Sequence, residues 1–215
     1  MKLFRSAFLL LLVLTASLTV ALTVDDVVAR VKAAYADADT LTCDLRRVTV
    51  SGLLGQRRVL LGVLRMDLPD RFRIEYHTPY EQILVCDGET YWLYTVKNGQ
   101  CLYGPVADFA EQTMLTDLVG YFERDYAYEL DGEEEVNGVA TVRLRMTARD
   151  PAEAYPAGRL WIDTERWLPL QIELVDEQGN ELSYRLSDIE LDIALADGQF
   201  TFEAPAGVEL LRMER

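Results

Sequence analysis

The chain has 215 residues, half of them hydrophobic, so it can bury a sizeable core and is too apolar for a disordered protein. Its formal net charge of −15 argues against nucleic acid and anionic membrane surfaces as partners, because both are negatively charged. The acidic run 131–138 is expected to be a solvated turn rather than a site.

The N-terminus has the pattern of a secretory signal peptide. Lys2 and Arg5 precede an uncharged apolar stretch that reaches small residues at Ala21, where cleavage is expected. The alternative is an uncleaved anchor, because the stretch approaches membrane-spanning length. Its serines and threonines and the cleavage pattern favour the signal peptide. Residues 1–21 are therefore assigned to a signal peptide, and the protein is expected to work outside the cytoplasm, in the periplasm or on the cell surface.

The first predicted element after this segment is a helix over 23–38. Thr23 followed by Asp26 approximates a capping box, in which each residue satisfies a backbone amide of the other. Apolar residues then recur at helical spacing and form one stripe. The stripe consists of Val24, Val27, Val28, Val31 and Tyr35.

Strands are predicted through most of the remaining chain. Apolar alternation and tight turns place them near 41–50, 57–66, 71–77, 82–86, 90–96 and 100–103, and later near 126–131, 138–147, 159–163, 168–175, 181–191 and from Phe200. Their short, even spacing predicts an antiparallel meander in a single domain.

Two hairpin signals set the predicted register. Asp87-Gly88 and Asn98-Gly99 are typical two-residue turns, and the first sets Ile83 opposite Trp92. Alternation then predicts one apolar wall, which the pattern alone leaves either filled by the protein's own side chains or open. The wall comprises Ile83, Val85, Trp92, Tyr94, Val96, Cys101 and Tyr103, continued on the preceding strand by Phe72, Ile74 and Tyr76.

The three cysteines are an odd number, so at least one stays unpaired in an oxidising compartment. The predicted registers set Cys86 and Cys101 opposite positions seven residues apart on the middle strand, roughly 23 Å at about 3.3 Å per residue. A disulfide needs Cα atoms within about 7 Å. A bond between these two is therefore not expected.

A second helix is predicted over 107–122. Asp108 and Glu111 indicate its start, and apolar residues follow at helical spacing. Its stripe includes Met114, Leu115, Leu118, Val119 and Phe122.

Signs of catalysis and of metal binding are lacking in the sequence. His77 is the only histidine, and it falls on the polar side of its predicted strand. Nucleophile elbows, zinc-protease helices, glycine-rich phosphate loops and CxxC pairs are all missing. We therefore expect no enzyme activity, no cofactor and no metal.

Residues 62–100 resemble the signature of the LolA-type outer-membrane lipoprotein carrier family. The pattern joins an apolar strand, a phenylalanine strand, Asp-Gly and an aromatic strand, and the C-terminal residues 200–211 match as well. The matching positions are Gly62, Pro69, Phe72, Pro79, Asp87, Gly88, Trp92 and Tyr94, then Phe200, Phe202, Pro205 and Gly207.

This resemblance implies a mostly β, single-domain fold over 22–215: an unclosed antiparallel β-barrel with an N-terminal helix and a helical lid over its concave apolar face. The wall would hold the acyl chains of lipoproteins or related lipids, and Leu115, Leu118, Val119 and Phe122 would form the lid. Further partners would be a membrane-embedded donor or acceptor, and a monomer is expected. The alternative is a regulatory, lipid-sensing module that binds a membrane-protein partner, as stress-sensing relatives do.

The chain departs from the family at one position. Many members have an arginine before the first proline of the motif, where this chain has Leu68. Leucine offers no guanidinium to hold a lid. Arg65, Arg71 and Arg73 are expected to point away from the trough, so closure would depend on apolar packing.

Overall fold

One continuous sheet dominates the computed structural model, which describes residues 22–108, 126–150 and 152–213. Its strand order is β12-β6-β5-β4-β3-β2-β1-β11-β10-β9-β8-β7. The strands are β1 Thr40–Val50, β2 Arg57–Asp67, β3 Arg71–Thr78, β4 Gln82–Cys86, β5 Thr90–Thr95, β6 Gln100–Pro105, β7 Tyr126–Val136, β8 Val139–Ala148, β9 Ala157–Asp163, β10 Pro169–Val175, β11 Glu181–Leu191 and β12 Glu209–Arg212. Neighbours are antiparallel except β12, which runs parallel to β6. The edge strands β7 and β12 are not paired with each other, so the sheet is unclosed, as expected.

Helix α1, Val24–Tyr35, begins at the predicted capping box. The Thr23 hydroxyl accepts a hydrogen bond from the Asp26 amide at 3.2 Å, and the Asp26 carboxylate accepts one from the Thr23 amide at 3.0 Å. The helix ends three residues earlier than the sequence predicts, and four residues of its apolar stripe are buried against the sheet. Among the residues described, no helix combines the length and the apolar character needed to cross a membrane.

The sheet has two faces with different roles. The inner face is the one that α1 covers, and it carries the main hydrophobic core from β1 through β11. The outer face carries most of the charged side chains and a smaller apolar cluster. Alternation along each strand assigns the residues to these faces.

Both hairpins beside β5 are longer than the sequence predicts. Asp87 Oδ1 accepts hydrogen bonds from the amides of Glu89 and Thr90 at 2.9 and 2.7 Å, which widens that turn. The second hairpin contains a single 3-10 turn, Val96–Asn98, closed by Gly99 at φ 63°. Ile83 consequently lies opposite Tyr94, so the predicted pairing of Ile83 with Trp92 is wrong by two residues. An even shift leaves each side chain of β4 and β5 on its predicted face relative to the other strand.

The predicted strand from Phe200 is also wrong. Residues 200–205 are irregular, and the last strand is Glu209–Arg212. Phe200 and Phe202 alternate as a strand would, but they pack on the outer face without joining the ladder.

All three cysteines are free and buried. Cys86 lies opposite Tyr91 and Cys101 opposite Tyr94, three residues apart on β5. Since an odd separation places side chains on opposite faces, the two sulfurs are on different sides of the sheet. The expectation that Cys86 and Cys101 do not bond is confirmed, and the sheet between the two side chains is a second barrier besides their separation.

Candidate ligand-binding face

The structure divides the predicted wall between the two faces. β3 pairs with β4 so that Phe72 faces Cys86 and Ile74 faces Leu84. Phe72 and Ile74 therefore share the inner face, while Ile83, Val85, Trp92 and Tyr94 lie on the outer face. The prediction of one shared wall is wrong. Alternation shows which residues of one strand share a face, but it does not show which face of β4 continues a given face of β3 across the turn between them.

The inner face of β3, β4 and β5 is apolar in its own right, and we call its six residues the inner wall. Five are buried and Leu93 is partly buried against the same core. They are Phe72, Ile74, Tyr76, Leu84, Tyr91 and Leu93. Sequence reasoning missed Leu84, Tyr91 and Leu93, although apolar residues at both odd and even positions of 83–86 and 91–94 are typical of strands covered on both faces.

The outer half of the predicted wall is covered by the C-terminal segment. The Phe202 ring lies 6.4 Å from that of Trp92 and 5.8 Å from that of Tyr94, measured between centroids. Val85 is fully buried there and Phe200 nearly so. We call these five residues the outer cluster. Their packing gives them a structural role in this conformation.

Charged side chains near the motif point outward. Glu75 accepts hydrogen bonds from Arg65 at 3.0 Å and from Arg73 at 2.8 Å. Burial disfavours the Glu75 carboxylate, but these hydrogen bonds outweigh burial and lower its pKa. Arg71 pairs with Asp67 and stacks on Phe200 at 5.4 Å. The expectation that these three arginines point away from the inner face is confirmed.

Titratable groups on the inner face near α1 are held neutral. Burial raises the pKa of the Cys43 thiol to about 12, and it also raises the pKa of the Tyr35 phenol. Neither group ionises near neutral pH, so this part of the inner face carries no charge. Helix α1 covers this part of the inner face.

One end of the inner face is polar. Arg47 stacks on Tyr184 at 5.8 Å, and Gln82 donates a hydrogen bond to the Thr95 hydroxyl at 3.2 Å. A cavity of about 140 Å³ lies beside them. Its lining is Arg47, Thr49, Arg58, Leu60, Tyr80 and Gln82. Sequence reasoning missed Arg47, which alternation from Leu41, Cys43 and Leu45 would have placed on this face.

The predicted lid residues Leu115, Leu118, Val119 and Phe122 lie outside the described residues, so the lid stays a prediction. His77 is exposed at the end of β3. The described ranges contain no group of three or more His, Cys, Asp or Glu side chains that could hold a metal ion.

Comparison with known proteins agrees with this architecture. The family described as "Outer membrane lipoprotein carrier protein LolA" matches residues 37–203. An outer-membrane lipoprotein carrier protein of Alkalilimnicola ehrlichii is 30% identical over 151 residues, covering 70% of this chain and 67% of that protein. Its counterpart in Pseudomonas aeruginosa is 26% identical over 219 residues, covering 99% of this chain and all of that protein. A crystal structure of an uncharacterized conserved protein from Thermus thermophilus shares the fold, with a TM-score of 0.60 at 15% identity, covering 88% of this chain and 98% of that one.

Proposed function

Because the chain belongs to the outer-membrane lipoprotein carrier family, we propose that it shelters the acyl chains of lipoproteins or related lipids outside the cytoplasm. Residues 1–21 would act as the signal peptide and 22–215 as the carrier domain. The observation that carries this proposal is an unclosed sheet whose inner face, apart from its polar end, carries the main hydrophobic core of β1–β5 and β7–β11.

The energetics favour such a site. Each exposed CH₂ group costs about 0.8 kcal/mol in water, so a chain of about 15 carbons costs on the order of 12 kcal/mol. The inner wall offers aromatic and aliphatic contacts along three adjacent strands, without a charged side chain among its six residues. An acyl chain lying across it would exchange water for these contacts.

The polar end of the inner face suits the other end of such a ligand. Arg47 and Gln82 flank the cavity of about 140 Å³, and both can donate hydrogen bonds. An ester or amide headgroup placed there would keep its carbonyl oxygens paired while the acyl chain runs toward Leu84 and Leu93. The polar end of the ligand would then meet the polar end of the inner face.

Release would depend on a helical lid, since an apolar helix stripe can replace the departing ligand on the inner wall. Leu115, Leu118, Val119 and Phe122 keep this role as a prediction. The alternative, a lipid-sensing module that binds a membrane-protein partner, uses the same face and also stays a hypothesis.

Binding of a fluorescent fatty acid, followed by competition, tests this function. A diacylated lipopeptide should displace the probe from the folded protein, because both place acyl chains on the inner wall. The same peptide without its acyl chains is the matched control and should leave the probe bound. Failure of the folded protein to take up the probe, or equal displacement by both peptides, would contradict the proposal.

A further inference from the structure

The loop between β1 and β2 presents two consecutive leucines to solvent. Leu53 is 90% exposed and Leu54 is 66% exposed, more than the other large hydrophobic residues of the described ranges. A single exposed leucine is ordinary on a protein surface. Two at the tip of one hairpin make a local apolar projection that contributes nothing to the core.

The loop is ordered and holds the leucines outward. The Ser51 amide donates to the Gln56 carbonyl at 2.9 Å, and the Gly55 amide donates to the Ser51 carbonyl at 2.8 Å. The Gly52 amide donates to Asn180 Oδ1 at 3.0 Å. A side chain at Gly52 would meet the carbonyl oxygen of Gly179 at 2.5 Å, so the loop packs directly on the β10–β11 turn. The leucines are therefore not free to fold back onto the sheet without breaking these bonds.

The β1–β2 hairpin is positively charged, although the chain as a whole is negatively charged. Between Asp44 and Asp67 the sequence has five arginines and no acidic residue, in a chain with 36 acidic residues. Arg57 and Arg58 directly follow the loop on opposite faces, since they begin β2. Neither forms an ion pair within the described ranges. Positive charge thus borders the leucines on both faces of the hairpin.

A recess on the outer face strengthens this positive region. A cavity of about 290 Å³ lies beside the hairpin. Its charged lining is Arg46, Arg57, Arg159 and Arg185 against Glu173 and Glu181, a net of +2. Burial, and then the charges of Arg57 and Arg185, lower the pKa of Arg46. Arg46 is therefore close enough to Arg57 and Arg185 for their charges to repel, whereas Arg159 is paired with Asp131 at 3.6 Å.

We propose that the β1–β2 tip docks onto an anionic phospholipid bilayer, with Leu53 and Leu54 entering the interface and Arg57 and Arg58 contacting lipid phosphates. The two contributions are individually weak, and reversible membrane attachment generally needs such a pair of signals. The net charge of the chain opposes binding at long range, but salt screens distant charges more than those at the tip. Docking of the tip does not require an acyl chain on the inner wall, although Arg58 also lines the cavity at the polar end of the inner face.

The geometry favours a bilayer over a protein partner. A stable protein interface buries about 800 Å² on each side, far more than two leucine side chains supply. The arginines lie on both faces of the projection, which matches a continuous negative plane around an inserted tip. The adjacent β10–β11 turn carries Asp176 and Glu177, and Glu181 begins β11 beside Val50; these three carboxylates oppose the approach to anionic headgroups, so the leucines and the arginines must outweigh them.

Sedimentation with lipid vesicles tests the docking. The exported protein is mixed with vesicles of equal parts phosphatidylglycerol and phosphatidylcholine, or of phosphatidylcholine alone. Binding should need the anionic lipid and weaken with salt. The double variant Leu53→Ser, Leu54→Ser should lose about tenfold in apparent affinity, since every 1.4 kcal/mol of lost apolar transfer is tenfold. Arg57→Gln should lose about fivefold, the effect of one surface charge.

The C-terminal strand supplies matched controls. Leu210 and Leu211 are also exposed, at 53% and 36%, but adjacent strand residues point to opposite faces and cannot enter a bilayer together. Leu210→Ser with Leu211→Ser, and Arg212→Gln, should bind vesicles as the parent does. A fluorescent fatty acid measured without vesicles reports the inner wall separately and should be unaffected by the tip variants. Failure of the parent to bind anionic vesicles, or undiminished binding by the Leu53, Leu54 variant, would overturn the proposal.

Discussion

Replacing Leu93 by serine should weaken the binding of a fluorescent fatty acid by about thirtyfold. Leu93 lies on the inner face of β5, partly buried against the core. Serine removes about 2 kcal/mol of apolar contact with an acyl chain, which corresponds to about thirtyfold in affinity. A probe titration on folded protein, with the melting temperature recorded in parallel, measures the effect.

Ile83→Ser is the matched control. It removes a similar aliphatic side chain from the neighbouring strand, also partly exposed, but from the outer face. Its affinity for the probe should stay within about twofold of the parent, while stability falls by roughly 1–2 kcal/mol for lost burial. Equal loss of affinity in both variants would support the single wall that the sequence predicts and would contradict the division between the two faces.

Gly62→Ala should destabilise the protein by about 3 kcal/mol, at the upper end of typical overpacking costs. Gly62 lies in β2 opposite Tyr76, at the irregularity of the pairing with β3. A Cβ atom there would clash with the Glu75 carbonyl oxygen and come within 2.9 Å of the Tyr76 Cα. Because both neighbours are backbone, the strands must separate to admit it. Urea unfolding measures the free energy of unfolding.

Gly55→Ala separates this crowding from a general effect of removing glycine. Gly55 has φ +61° and no atom within 4 Å of a Cβ, so alanine there costs only about 1 kcal/mol of backbone strain. If the two variants lost the same free energy, the close approach of β2 and β3 at Gly62 would not be the cause.

The sequence predicts the elements of this fold well because their signals are local. The capping box at Thr23 and the apolar stripe behind it specify α1. Alternation and turn residues locate strands β1 to β11 within a few residues, except that β7 continues to Val136 through acidic residues predicted to be a turn. Resemblance to the carrier family adds the unclosed sheet, which no local pattern specifies.

The candidate site is harder to predict because it depends on register. The carboxylate of Asp87 accepts two backbone amides and lengthens its hairpin, a choice that Asp-Gly alone does not reveal. The β3–β4 turn then decides whether Ile74 faces Leu84 or Ile83. The sequence around Phe202 predicts a strand, but Phe202 packs on Trp92 and Tyr94 without belonging to a strand of the sheet. These outcomes are set by contacts distant in sequence.

The most direct test of the central claim is mass spectrometry of lipid extracted from the folded protein, isolated from its native envelope without detergent. An acylated molecule should co-purify with the parent in a fixed ratio, and Leu93→Ser should retain much less of it than Ile83→Ser does. Folded parent protein that yields no lipoprotein or lipid under these conditions would contradict a carrier that shelters acyl chains on its inner wall.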